Sequence, residues 1–140
     1  CWETLEGVLK HNGPLPSAKR GQTIKHYDAQ FSLQLDGYAS LEAQLAAVAD
    51  DIAYNAHDVD DAHRAGMLSY EEIRTLPFYS AVLAEAELGL WHETERARVT
   101  FAVRKVIDIW VQDVLAFTKA SIAKVQPQSA DDVRNAGFTM

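Results

Sequence analysis

The chain has 140 residues, 48% of them hydrophobic, with a formal net charge of -7 at pH 7 and a pI near 5.1. That length and apolar content suit one domain with a single core and exclude wholesale disorder. The acidic balance argues against broad electrostatic binding of DNA or RNA, yet leaves a nucleotide substrate open, because a bound cation supplies the positive charge a triphosphate needs.

Cys1 is the single cysteine. An intrachain disulfide and a cysteine-based zinc site are therefore excluded, and a reducing cytoplasm is the expected compartment. No apolar run approaches the roughly 18 residues of a membrane span. Residues 1–20, ending in Lys19-Arg20, lack the layout of a signal peptide. The chain opens on Cys1-Trp2-Glu3 and runs straight into a helical pattern, as a piece of a longer polypeptide would.

In chain order, residues 2–12 read as a short helix, with Trp2, Leu5, Val8 and Leu9 at helical spacing and Gly13-Pro14 as its stop. Residues 13–23 carry turn chemistry, and the stretch 13–38 is the candidate for a mobile or inserted segment. Within it, Ile24, Tyr27 and Phe31 fit a helical turn, whereas Phe31, Leu33 and Leu35 alternate as a strand would. A short helix followed by an extended piece is expected.

Residues 40–65 form the central predicted helix, capped by Ser40 and ended at Gly66. Leu41, Leu45, Val48, Ile52 and Val59 fall on one stripe that should face the core. Ser69-Tyr70-Glu71-Glu72 has capping-box spacing and opens a short helix. Pro77 starts another, to about Glu87. Residues 91–125 read as a second long helix with Val99, Val103, Val106, Trp110, Val114 and Phe117 in one stripe. Phe101, Ile109, Val111 and Leu115 add apolar surface around it, which marks a bundle centre or an interface. Pro127 ends it, and Ser129 caps a last helix from Ala130 to Ala136. The fold class is all-α, with no repeat and no internal boundary.

The central helix contains a chemical anomaly. Between Asp50 and Asp61 it places five aspartates with Tyr54 and His57, and no lysine. Aspartate is a poor helix former away from the first turn, and like charges four apart repel. Asp50, Tyr54 and Asp58 share one row, nearly opposite the Leu45/Val48/Ile52 stripe, with His57 and Asp61 beside it. A solvated face is the plain reading. A cation-facing row is the alternative, because carboxylates suit hard divalent ions and a tyrosine ring suits stacking on a base or sugar.

Ser40-Leu41-Glu42-Ala43-Gln44 and the run from Ala49 through Asp-Asp-Ile-Ala-Tyr-Asn-Ala-His-Asp to Asp61 resemble bacterial deoxyguanosine triphosphate triphosphohydrolases of the HD-domain superfamily. The stretch from Trp2 to Leu15 and the segment Asp131–Gly137 look like two further parts of that family, in the same order. The resemblance implies the C-terminal portion of a partial HD-domain fold. It also implies a parent reaction in which a metal-activated water hydrolyses a deoxynucleoside triphosphate to deoxynucleoside and triphosphate, with Mg²⁺ or Mn²⁺ as cofactor. Carried over residue by residue, Asp50 is the metal ligand, with Asp51 as the alternative, and Tyr54 and Asp58 contact the substrate. The family's first His and its His-Asp pair lie upstream of the segment where this chain begins, so no catalytic residue is assigned and the isolated chain is expected to be inactive.

Other constellations are weaker. His57-Asp58 with His26 and Asp108 or Asp113 would make a metal set inside the chain, but the surrounding residues match the other segment. His11 reads as a capping or surface residue, and His92, Glu93 and Glu95 as a solvated helix start. Arg96, Arg98, Arg104 and Lys105 form a basic stretch for a nucleotide, an oligomer contact or surface ion pairs. Trp2, Trp91 and Trp110 read as core or interface anchors. Expected partners are a deoxynucleoside triphosphate and further copies of the chain, with no membrane. The competing reading is a helical oligomerisation or regulatory module without turnover.

Overall fold

The computed structural model describes residues 1–89 and 93–139. Among them are seven α-helices, one 3-10 turn and no strand, so the all-α expectation holds. The helices are α1 (Trp2–Leu9), α2 (Gln22–Gln30), α3 (Leu41–Arg64), α4 (Tyr70–Ile73), α5 (Tyr79–Gly89), α6 (Glu95–Val125) and α7 (Ala130–Arg134), with the 3-10 turn at Ser17–Lys19. Trp91 and His92 lie outside the described residues.

Local chemistry sets the helix ends. Ser69 and Ser129 each close a full capping box, with Glu72 and Asp132 as the returning carboxylates. Their hydrogen bonds hold both carboxyls below the ordinary range, first from the Ser69 hydroxyl on Glu72 and first from the Gln128 backbone on Asp132. Gly66 ends α3 at φ 71°, while Met67 N–H and Leu68 N–H both donate to the Ala62 carbonyl. A left-handed residue there lets the chain reverse and satisfy an orphan carbonyl. α6 stops one residue before the left-handed Gln126 (φ 48°), and Pro127 cannot continue it.

The chain packs as two compact units. One comprises Cys1–Val48 with the C-terminal stretch from Ala116; the other is Ala49–Leu115.

The second unit has an apolar core. Ala56, Ile73, Leu83, Val99, Ala102 and Val106 are all fully buried, and Val59, Leu68, Leu76, Phe101 and Trp110 pack against them. Each fully buried Leu or Ile side chain contributes roughly 1.5–3 kcal/mol relative to exposure. The predicted stripe of α6 holds at Val99, Val103 and Val106, but it fails at Phe117, which is 58% exposed. Trp110 is half-buried and meets Phe78 edge-on at 5.9 Å. The predicted stripe of α3 is half-buried throughout, and Ala56 is the α3 residue in the core of this unit. A network of polar groups ties its helices. Tyr70 donates to Glu87 at 2.9 Å, Arg74 Nε pairs with Glu87 at 3.2 Å, and the Arg98 guanidinium sits 5.3 Å from the Tyr70 ring centroid.

The first unit is built differently. In α1 a Leu5/Val8/Leu9 stripe would ordinarily turn inward. Instead Leu5 is 41% and Val8 62% exposed, while Glu6 and Lys10 are 0% and 2% exposed. Glu6 accepts from Lys10 Nζ at 3.0 Å and from Arg134 Nε and Nη2 at 2.8 and 3.0 Å. Lys10 also donates to the Tyr38 carbonyl, and Arg134 lies over the Trp2 ring at 5.0 Å. Gly7 permits the approach of α3: a Cβ there would meet the Ala43 Cβ at 3.0 Å. The backbone of Gly37 similarly lies against the Arg134 carbonyl, and Tyr38 N–H donates to that carbonyl.

The stretch after α1 is tied down through Arg20. Its guanidinium donates to the Leu15 carbonyl, to Asp28 at 3.2 Å and to Asp36 at 2.6 Å. Helix α2 begins two residues before the expected Ile24. Leu33 and Leu35 alternate as a strand would, yet they lie in irregular backbone and are each 1% exposed. Leu33 N–H donates to Asp28, and the Leu35 carbonyl accepts from Leu15 N–H, so this backbone is satisfied without a sheet.

Candidate functional site

Helix α3 carries the acidic row. Asp50, Asp51, Tyr54, His57, Asp58 and Asp61 are all exposed, and Tyr54 is 67% so. Residues four apart on a helix sit about 6 Å from one another, so Asp50, Tyr54 and Asp58 span roughly 12 Å of one face. The other acidic residues do different work. Asn55 donates to the Asp51 carbonyl at 2.7 Å, and Arg64 pairs with Asp60 at 3.6 Å and with Asp61 at 4.0 Å. Burial first, and then the Asp60 carboxylate, push the Tyr79 phenol up to about 12. The Tyr79 hydroxyl is buried without a hydrogen-bond partner.

Among the described residues no three or more His, Cys, Asp or Glu side chains gather into a group able to hold a metal. Within the second unit, His57, Asp58, Asp108 and Asp113 accordingly form no such group. Hard divalent ions take six or more ligands, several of them from the protein in tight sites. Asp50 offers one carboxylate, so the residues present do not by themselves fit a catalytic cation.

The basic stretch of α6 is partly engaged within its own unit. Arg98 donates to the Glu93 carbonyl at 2.6 Å as well as packing on Tyr70, and Lys105 lies over the Phe101 ring. Arg96 and Arg104 are exposed. His11 is a surface residue whose Nδ1 lies 2.8 Å from the Val8 carbonyl. The Glu6–Lys10–Arg134 cluster escaped the sequence reading. Only the four-residue spacing of Glu6 and Lys10 signalled it, and that spacing ordinarily marks a surface pair.

The sequence itself places the chain. It is 45% identical to a deoxyguanosinetriphosphate triphosphohydrolase-like protein of Agrobacterium fabrum (strain C58), with 99% of this chain and 36% of that protein covered. Proteins of the same description from Rhizobium meliloti (strain 1021) and Mesorhizobium japonicum are 45% and 42% identical, with the same shares covered. The chain belongs to this deoxyguanosine triphosphate triphosphohydrolase-like family and spans about a third of the length of the curated relatives it matches. No family model matches the chain, and no solved structure does. Among the described residues no helix is long and apolar enough to cross a membrane.

Proposed function

We propose that this chain supplies one wall of the nucleotide site of a metal-dependent, cytoplasmic deoxynucleoside triphosphate triphosphohydrolase, corresponding to the C-terminal portion of an HD-domain enzyme. Asp50 contributes one carboxylate toward a Mg²⁺ or Mn²⁺ ion whose other ligands come from outside these residues. Tyr54 offers its ring and hydroxyl to the sugar or base of dGTP, and Asp58 accepts hydrogen bonds from the substrate's polar groups. The observation that carries this reading is the exposed Asp50–Tyr54–Asp58 row, held on a helix of a chain 45% identical to the Agrobacterium fabrum protein. Residues of the second unit's core anchor the opposite side of the same helix through Ala56, which leaves the row free to face a ligand.

The test is direct. Incubated with dGTP and Mg²⁺ or Mn²⁺, this chain releases no triphosphate, as followed by ion chromatography. Release that Asp50→Ala abolishes would show that a complete site is present here and would overturn the one-wall reading.

A second reading, a helical module that associates without turnover, is favoured by Ile109, Val111 and Leu115, which leave 42%, 38% and 41% of their surfaces exposed on α6. It requires that the sedimenting mass rise with concentration and that Leu115→Lys hold the chain monomeric. A monomer at every concentration contradicts it.

A further inference from the structure

Helix α1 packs with its faces inverted. A helix ordinarily buries its apolar stripe and leaves its charges in water. In α1 Glu6 and Lys10 are inside, whereas Leu5 and Val8 are in solvent. The apolar side of α1 continues onto α2. Leu5, Val8, Leu9, Thr23, Ile24, Tyr27 and Leu33 line one open groove of about 210 Å³. Tyr27 and Phe31, 38% and 57% exposed, meet at a tilt of 41° with ring centroids 5.3 Å apart at the end of α2. Thr23 and the Tyr27 phenol are the polar groups among the side chains of this lining. Such a lining offers a ligand almost no hydrogen bonds or charge, so it selects an apolar protein surface and not a nucleotide or an anion.

The orientation of α1 is fixed from the other side. Turning it to bury Leu5 and Val8 would break the Glu6 contacts with Arg134 and the Lys10 bond to the Tyr38 carbonyl, and would part a buried charge pair, a cost of several kcal/mol. It would also replace the Gly7–Ala43 approach, where a single added carbon already lies at 3.0 Å, with a larger side chain. The apolar face is thus held outward and stays available for a partner.

We propose that the α1–α2 groove is the seat of the part of the family's polypeptide that this chain does not match. The curated relatives are far longer than the stretch they share with it, which is 36% of the Agrobacterium fabrum protein. An intramolecular neighbour supplies the apolar surface that four large exposed side chains require. The interface so formed lies on the first unit. The inference rests on family membership and not on the proposed activity.

The experiment uses the intact Agrobacterium fabrum relative. A photoreactive phenylalanine is placed at the position aligned with Val8 and, as a control, at the position aligned with exposed Lys119. After irradiation and digestion, the Val8 position cross-links within one chain to a peptide from the unmatched part of that protein, and the Lys119 position gives no such product. A Val8 cross-link between two chains identifies a second copy as the occupant and overturns the proposal. Absence of any protein cross-link from the Val8 position, and from a second probe at the position aligned with Leu5, overturns it as well. On the present chain the groove binds the uncharged apolar dye Nile red, and the double variant Val8→Asp, Phe31→Ser loses that fluorescence. Loss of the dye signal without loss of helical circular dichroism separates a changed surface from a misfolded chain.

Discussion

The two units of this molecule solve the packing problem in opposite ways. In Ala49–Leu115 the interior is apolar, centred on Ile73, Leu83, Val99 and Val106, and its polar network runs from the buried Tyr70 outward to Arg74, Glu87 and Arg98. In the unit that contains α1 and α7, the interior holds Glu6, Lys10 and Arg134 alongside Leu33, Leu35 and Ala39, while Leu5, Val8 and Phe31 face water. The difference teaches that burial here follows the available partners and not hydropathy alone. A charge enters a core when several donors converge on it, and an apolar face stays outside when something else is to cover it.

The comparison breaks first at Glu6. Replacing it by Leu leaves Lys10 as a buried cation without a counter-ion and Arg134 with only the exposed Asp131 carboxylate at 2.9 Å, which should cost about 3–5 kcal/mol in urea unfolding. An effect near zero would mean that the cluster relaxes to solvent and that the polar interior is not a constraint. The same site carries a pH signature. Burial alone would raise the Glu6 carboxyl, but the hydrogen bonds from Arg134 and Lys10 outweigh it and hold the group below its ordinary value. A carboxyl lowered in the folded state stabilises above its unfolded pKa, near 4.5, and that contribution is lost as pH falls through the lowered value. Glu6→Leu should remove this acid-side slope.

Leu83→Ala tests the other unit and should cost about 2–5 kcal/mol, with no change in the pH profile, because the lost contacts are apolar. Ser69→Ala removes the hydroxyl that accepts from Glu72 N–H, and about 1 kcal/mol is the expected loss of helix-cap stability. The smallest effect belongs to Tyr79→Phe. Its hydroxyl is buried without a partner, so deleting it should leave stability within about 0.5 kcal/mol of the parent or improve it. A marked loss would reveal a partner for the hydroxyl.

What the sequence disclosed divides along the same line. Capping boxes at Ser69 and Ser129, the left-handed Gly66 and the Val99/Val103/Val106 spacing are local signals, and each reappears in the fold. The facing of α1 is set by Arg134, 128 residues away from Glu6, and no local pattern carries that information. Phe117 continues the apolar spacing of α6 but is exposed, because spacing identifies a face and not what covers it. Leu33 and Leu35 alternate as in a strand, yet Arg20, Asp28 and Leu15 satisfy the neighbouring groups in irregular backbone. The division into two units falls inside α3 and α6, where neither a proline nor a glycine marks it. The acidic row was legible because aspartates on a helix are locally costly, and that cost is visible without coordinates.

The most direct measurement of the central claim is triphosphate release from dGTP by the intact Agrobacterium fabrum relative, comparing alanine at the positions aligned with Asp50 and with Asp51. If the Asp50–Tyr54–Asp58 row faces the substrate, the Asp50 change abolishes release and the Asp51 change, one step around the helix, largely spares it. Equal retention in both variants, or loss at Asp51 alone, would contradict the assignment.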